Sequence, residues 1–259
     1  MDMEKKLVAV FLAIFLTAAA VGLSGCTEEE GVMKIIVGTS ADFPPFEFVE
    51  GGEIVGFDIE MVTAVLESLN YTVEVQDMAF EGLIGALQTD KIDVIAAGMS
   101  IDPERDVDFS IPYFEADLSI LVRSDSNLTV NDSTLIDKLS TLTLGAQTGT
   151  TSADWVFDNL INVTNATFQE DQLKRYETYT EAVLDLENKH LDAVVIDKPV
   201  GEAYANDGDV KIIYTIVTGE QYGLAVKKGN TELLNEINTA LESYMESAAW
   251  NTLIKKYFE

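Results

Sequence analysis

Three short apolar stretches, residues 34–39, 71–75 and 92–97, are separated by two stretches in which apolar residues recur at helical spacing. Ile59, Val62, Val65, Leu66 and Leu69 share one face of the first, and Leu83, Ile84 and Leu87 lie on the second. Short strands alternating with amphipathic helices pair in parallel, because each crossover helix carries the chain back to the same end of the sheet. Residues 33–97 therefore predict a βαβαβ unit, a parallel sheet covered by helices. Open sheets of this class hold ligands beyond the carboxyl ends of their strands. Phe43 and Phe80 fall in loops after the first and second strands, and Gly98 and Ser100 follow the third, so all four share one predicted edge. Phe46, Phe48 and Phe57 are assigned to the core.

A strand over 117–123 leaves this unit, and the polar stretch 124–133 reads as a loop. A second alternation follows: helices over 135–140, 152–160, 179–188 and 199–205, and strands over 143–146, 173–176, 193–196 and 211–216. One internal echo links the two halves. Leu87 to Ile95 (LQTDKIDVI) resembles Leu186 to Val194 (LENKHLDAV), each reading helix, turn, strand. The first of these strands runs out at Gly98 and Ser100, the second at Asp197. A late strand over 221–227 and amphipathic helices over 233–244 and 249–257, carrying Trp250, Tyr257 and Phe258, are expected to pack back on the first half. Two crossings result, near 115–117 and 216–220, and paired crossings act as a hinge. The expected organisation is a first lobe from 33–116, a second lobe from 117–217, and a return to the first lobe over 218–259.

Arg105 follows Asp102-Pro103-Glu104, a helix-start signal that predicts a short helix just past a strand end. A guanidinium presents a permanently charged fork that matches a carboxylate. An internal ion pair is the alternative reading, because Asp and Glu outnumber Lys and Arg by 45 to 16, a net charge of −29. The same balance excludes a nucleic-acid partner, which needs a basic face. Gln147-Thr148-Gly149-Thr150-Thr151-Ser152 ends a strand and opens a helix, whose free N–H groups suit an anion; without a Lys it is no nucleotide loop. One Cys and one His exclude a zinc set and a Ser-His-Asp order, so neither a metal nor a cofactor is expected.

The first 26 residues stand apart. Lys5 and Lys6 precede an apolar run over 7–23 and then Ser24-Gly25-Cys26, the pattern of an export signal. The ending resembles a lipoprotein signal with Cys26 as the lipidated residue; a plain secretory signal and an uncleaved anchor are the alternatives. Residues 27–32 read as a tether. On any of these readings the remainder lies outside the cytoplasmic membrane, anchored to its outer face or periplasmic.

Taken together, Gly38 to Phe48 (GTSADFPPFEF), Gly56 to Glu60 (GFDIE), Ala97 to Ile101 (AGMSI) with Glu104-Arg105, Asp108-Phe109-Ser110, Pro112-Tyr113-Phe114, Gln147 to Thr151 (QTGTT), Asp192 to Asp197 and Gln221-Tyr222-Gly223 resemble the polar amino-acid-binding proteins of ABC importers, over about residues 33 to 259. The resemblance implies the two-lobed type II periplasmic-binding-protein fold with a two-strand hinge. It implies that a free L-amino acid is captured between the lobes and delivered to a permease with its ATPase, by a monomeric binding protein that is not an enzyme. Carried over residue by residue, the α-carboxylate meets Arg105, Gly98 and Ser100 with N–H groups of Thr150 and Thr151. The α-ammonium meets Asp197, and Phe43 and Phe80 match the aromatic pair. Ser40 stands where several members carry an Asp that meets the ligand side chain. Gln147 stands where glutamine binders resemble a Lys, which leans away from glutamine. Asp42, Glu47 and Glu81 suit a cationic side chain, with Glu81 equally readable as a helix cap and Glu47 as solvent-facing. The segment between Arg105 and Asp108 is shorter than the family pattern. A prephenate or arogenate dehydratase on the same fold, and a sensor input module that signals through a separate partner chain, are the other functions this resemblance leaves open.

Overall fold

The computed structural model describes residues 33–206 and 208–259. The expected export signal, the expected tether and Cys26 lie outside the described residues. The first strand, β1 (Lys34–Thr39), is followed by a small antiparallel sheet of β2 (Asp42–Phe43), β3 (Glu47–Glu50) and β4 (Glu53–Val55). Then come α1 (Phe57–Ser68), β5 (Thr72–Asp77), a 3-10 turn at Phe80–Gly82, α2 (Leu83–Gln88) and β6 (Val94–Ile95). β5 and β6 both pair with β1 in parallel, as the alternation predicts. The strand expected over 92–97 is paired only at Val94–Ile95, because the chain beyond it bends toward the site.

The second lobe consists of β8 (Phe114–Arg123), α3 (Leu135–Leu139), β9 (Leu144–Gln147), α4 (Thr151–Val156), β10 (Leu173–Tyr176), α5 (Tyr179–Glu187), β11 (Ala193–Asp197), α6 (Lys198–Asn206) and β12 (Val210–Tyr222). Its sheet runs β10-β9-β11-β8-β12. The helix expected over 152–160 is α4 followed by a π-helical turn at Phe157–Ile161. The chain returns through β13 (Ala225–Lys227), α7 (Thr231–Met245) and α8 (Ala248–Phe258). β13 enters the first sheet antiparallel, between β6 and β7 (Val107–Phe109), giving the order β5-β1-β6-β13-β7.

The short helix expected before Arg105 does not form. Asp102 to Arg105 is a single turn closed by Arg105 N–H on the Asp102 carbonyl at 3.1 Å, and the chain goes straight into β7. Pairing of Val107, Asp108 and Phe109 with β13 claims the residues a helix would have needed. That partner is more than a hundred residues away in sequence, beyond the reach of a local start signal.

Helix α1 buries Phe57, Ile59, Met61, Val62, Val65 and Leu66, and α7 and α8 lie against it, so the returning helices complete the first lobe as expected. Each such side chain contributes about 1.5–3 kcal/mol on burial. Phe46 and Phe57 are fully buried, whereas Phe48 is only partly so.

The sequence echo is a structural repeat. Asp93 accepts the N–H of Ile36 at 2.8 Å and returns its own N–H to the Ile36 carbonyl; Asp192 does the same with Thr143, with N–H donation to the carboxylate again at 2.8 Å. Asp90 and Lys189, three residues earlier in each copy, both take the left-handed conformation (φ 58° and 66°). Lys91 and His190 then donate to Ala86 and Asp185 in the same way. Each lobe thus ties its helix-to-strand turn to its first strand by one carboxylate. The repeat places Gly98 and Asp197 at equivalent positions, at the carboxyl-terminal side of each lobe's repeated strand. We expect Asp93→Ala and Asp192→Ala each to destabilise by about 1–2 kcal/mol, read by urea unfolding.

The two connections between the sheets run side by side. Phe114, Glu115 and Ala116 of β8 pair with Tyr222, Gln221 and Glu220 of β12, so the hinge is a short antiparallel ribbon. The strand expected over 211–216 in fact continues through the hinge to Tyr222. Among the described residues, no helix is long and apolar enough to cross a membrane.

Candidate functional site

The carboxyl ends of the strands from both lobes meet at a narrow cavity. Its walls are Ser40, Phe43, Glu47, Phe80, Gly98, Ser100 and Arg105 on one side and Gln147, Thr150, Thr151 and Asp197 on the other. All ten residues singled out as ligand-binding candidates line it, together with Glu47.

Gly98 sits where a side chain has no room. Its φ is +51°, and a Cβ would lie 2.5 Å from the Phe43 ring. Its N–H donates to Asp58 Oδ2 at 2.8 Å, and the Tyr113 hydroxyl donates to the same oxygen. Asp58, in the first turn of α1, is fully buried, and that burial pushes its carboxyl up to about 7. It fixes the loop that carries Gly98 and Ser100. Phe43 stacks on Tyr179 of the second lobe with ring centroids 5.6 Å apart, and Phe80 lies 5.6 Å from the Arg105 guanidinium carbon, within cation–π range.

Arg105 reaches across the cleft. Its Nη2 donates to the Gly149 carbonyl at 3.1 Å, while its Nε is buried with no partner. Thr150 caps α4 by accepting the Ala153 N–H at 3.3 Å, so the start of that helix faces the cavity. Gln147 is held by donation to the Glu177 carbonyl at 2.9 Å and lies 3.4 Å from both Asp42 oxygens. Ser40 donates to Asp42 at 2.9 Å, and Asp42 also accepts the Tyr179 N–H. Asp42 therefore joins the lobes beside the cavity rather than lining it.

Asp197 ends β11 with Oδ1 unpaired, and burial, reinforced by the charge of Glu220, raises its carboxyl to about 8. Glu47 corrects the solvent-facing reading: it is fully buried, neither carboxylate oxygen has a partner, and burial raises its pKa well above the usual range. Glu81 by contrast is exposed, in the first turn of the 3-10 segment. Among the described residues the cavity thus offers one cation, Arg105, and two buried acids, Glu47 and Asp197, with carboxylate oxygens that have no hydrogen-bond partner. Among the described residues no group of three or more His, Cys, Asp and Glu is placed to hold a metal ion.

The family model for bacterial extracellular solute-binding proteins, family 3, matches residues 35–259. The chain belongs to this family. Among its relatives, the arginine-binding extracellular protein ArtP of Bacillus subtilis is 33% identical over 97% of this chain and 96% of its own length. A solved structure of a mutant ArgBP from T. maritima superposes with a TM-score of 0.78 at 38% identity, covering 87% of this chain and 95% of that one. The ancestral amino acid-binding protein AncCDT-1, described as a precursor of cyclohexadienyl dehydratase, superposes at 0.77 with 32% identity, over 87% of this chain and 96% of its own. The family 3 chain therefore has the type II periplasmic-binding fold, with two lobes and a two-strand hinge.

Asp58, Tyr179 and Glu220 were not picked out as site residues from sequence, and Glu47 was readable both as suiting a cationic side chain and as solvent-facing. The alternation Phe46-Glu47-Phe48 points Glu47 away from the aromatic core, and only the small β2-β3-β4 sheet folding against the cleft buries it. The acids give a signed pH dependence. Folded Asp197 keeps a proton up to about pH 8 that the unfolded chain releases near its ordinary pKa of 3.8. Ligand-free stability should fall as pH rises through that window, because the folded state binds more protons there. Asp197→Asn should flatten the slope of melting temperature against pH between 4 and 8.

Proposed function

We propose that this family 3 protein captures a free L-amino acid with a cationic side chain, arginine foremost, and presents it in the closed form to an ABC permease and its ATPase. The reading rests on the buried, doubly unpartnered Glu47 in a cavity where, among the described residues, Arg105 is the one lining cation. A zwitterion with a guanidinium tail satisfies every orphan at once. Its α-carboxylate takes Arg105, Ser100 and the N–H groups at Gly98, Thr150 and Thr151. Its α-ammonium takes Asp197, and its planar tail lies between Phe43 and Phe80 and ends on the two free oxygens of Glu47, whose spacing matches the guanidinium fork. Several arginine binders among the relatives support the choice. In this reading Cys26 carries the lipid that holds a monomer to the outer face of the membrane.

Titration calorimetry tests it. Arginine should bind and citrulline, its uncharged isostere, should bind far more weakly. Glu47→Gln should narrow that gap, and Arg105→Ala should cost roughly 2–5 kcal/mol in arginine binding without unfolding the protein. Because the ammonium draws the proton off Asp197, binding should release protons at neutral pH and weaken as pH falls below about 8. Equal affinity for arginine and citrulline in the wild type overturns the assignment.

We read the site as binding without catalysis. A dehydratase needs an acid held against a leaving group, and in this reading the acids meet the ammonium and the side-chain tail instead. Prephenate incubated with the protein should keep its ultraviolet spectrum; conversion would favour the enzyme.

A further inference from the structure

Glu220 belongs to none of the roles above, yet it touches both lobes. It sits on β12 in the hinge ribbon, opposite Ala116. Between Ile216 and Glu220 the pairing with β8 slips, and residues 217–219 leave the ladder. The N–H groups of Thr218 and Gly219 close on Asp117 Oδ1 at 2.9 and 3.0 Å, and Gly219 takes φ +66°, a conformation that favours glycine. Such bulges re-aim the side chains beside them. Here the re-aimed carboxylate points into the cleft. Its Oε2 accepts the Ser100 hydroxyl from the first lobe and the Thr151 hydroxyl from the second, each at 2.6 Å. It lies near enough to Arg105 and Asp197 to perturb both electrostatically.

One carboxylate oxygen held by Ser100 and Thr151 beside Arg105 has the surroundings assigned above to the ligand's own α-carboxylate. We propose that Glu220 is a built-in stand-in for that group: in the ligand-free protein it bridges Ser100 and Thr151 and holds the lobes together, and the incoming amino acid displaces it. The proposal rests on the amino-acid reading of the site for its second half; the bridging of the lobes stands independently of which ligand binds. It gives the hinge a second task. The strand that lets the lobes swing also carries the group that keeps them together when empty. The latch also competes with the ligand, since a site occupied by its own side chain binds more weakly in proportion to the unlatched fraction.

The test uses the full chain with one fluorescent label on each lobe, and arginine as the probe. In single-molecule energy transfer, ligand-free wild type should populate the short interlobe distance, and Glu220→Ala should shift it to the long one. Arginine should restore the short distance in both. Glu220→Ala should bind arginine more tightly, by about threefold or more if the latch is closed most of the time. Glu220→Gln, which keeps the side chain's shape and one acceptor, should fall between them and shows that the loss is not one of folding. An unchanged ligand-free distance in Glu220→Ala overturns the latch, as does weaker arginine binding, which would place Glu220 among the ligand's partners. If no variant, wild type included, binds arginine, the ligand assignment fails, while the ligand-free distances still decide the latch.

Discussion

Burying a charge without its partner is expensive, and this protein does so at both ends of one cavity. Arg105 keeps Nε out of water with nothing to bond, Asp197 keeps Oδ1 the same way, and Glu47 keeps both oxygens so. Removing ionised groups from water costs several kcal/mol each unless they neutralise or find a counter-charge. Burial drives the acids to neutralise, as the raised carboxyls of Glu47 and Asp197 indicate. The rest of the architecture serves to hold these groups apart from each other and from solvent, so that a molecule carrying the complementary charges is the relief available to all of them together.

Two features make that cost bearable. The repeated turn, with Asp93 and Asp192 each clasping its lobe's first strand, sets Gly98 and Asp197 at the ends of well-packed sheets rather than on free loops. A site on rigid elements does not collapse to satisfy itself. The second feature is the cross-lobe contact set: Arg105 on Gly149, Phe43 on Tyr179, Asp42 on the Tyr179 N–H and Glu220 between Ser100 and Thr151. These contacts exclude water from the cavity and so strengthen every electrostatic interaction within it.

Much of this was legible in the chain. The parallel βαβαβ core of the first lobe followed from the spacing of apolar residues, and the echo between the halves located both strand ends that carry the site. Arg105 and Asp197 stood out as a carboxylate-matching fork and an acid just past strand ends, and the family resemblance supplied the ligand roles expected of them. What failed did so for a common reason. Asp102-Pro103-Glu104 reads as a helix start, but β13 captures the following residues as a strand. Glu47 reads from sequence both as suiting a cationic side chain and as solvent-facing, and the solvent-facing reading fails because the residue is fully buried.

The sequence by itself determined the alternation of strands and helices, the two similar lobes and the identity of the residues at the ends of their strands, because periodicity and turn chemistry act over a few residues. Only the tertiary structure decided which acids lose their water. Burial of Glu47 and the reach of Glu220 to both lobes depend on how distant segments close over one another, and desolvation is a property of that enclosure, not of any residue's neighbours in the chain.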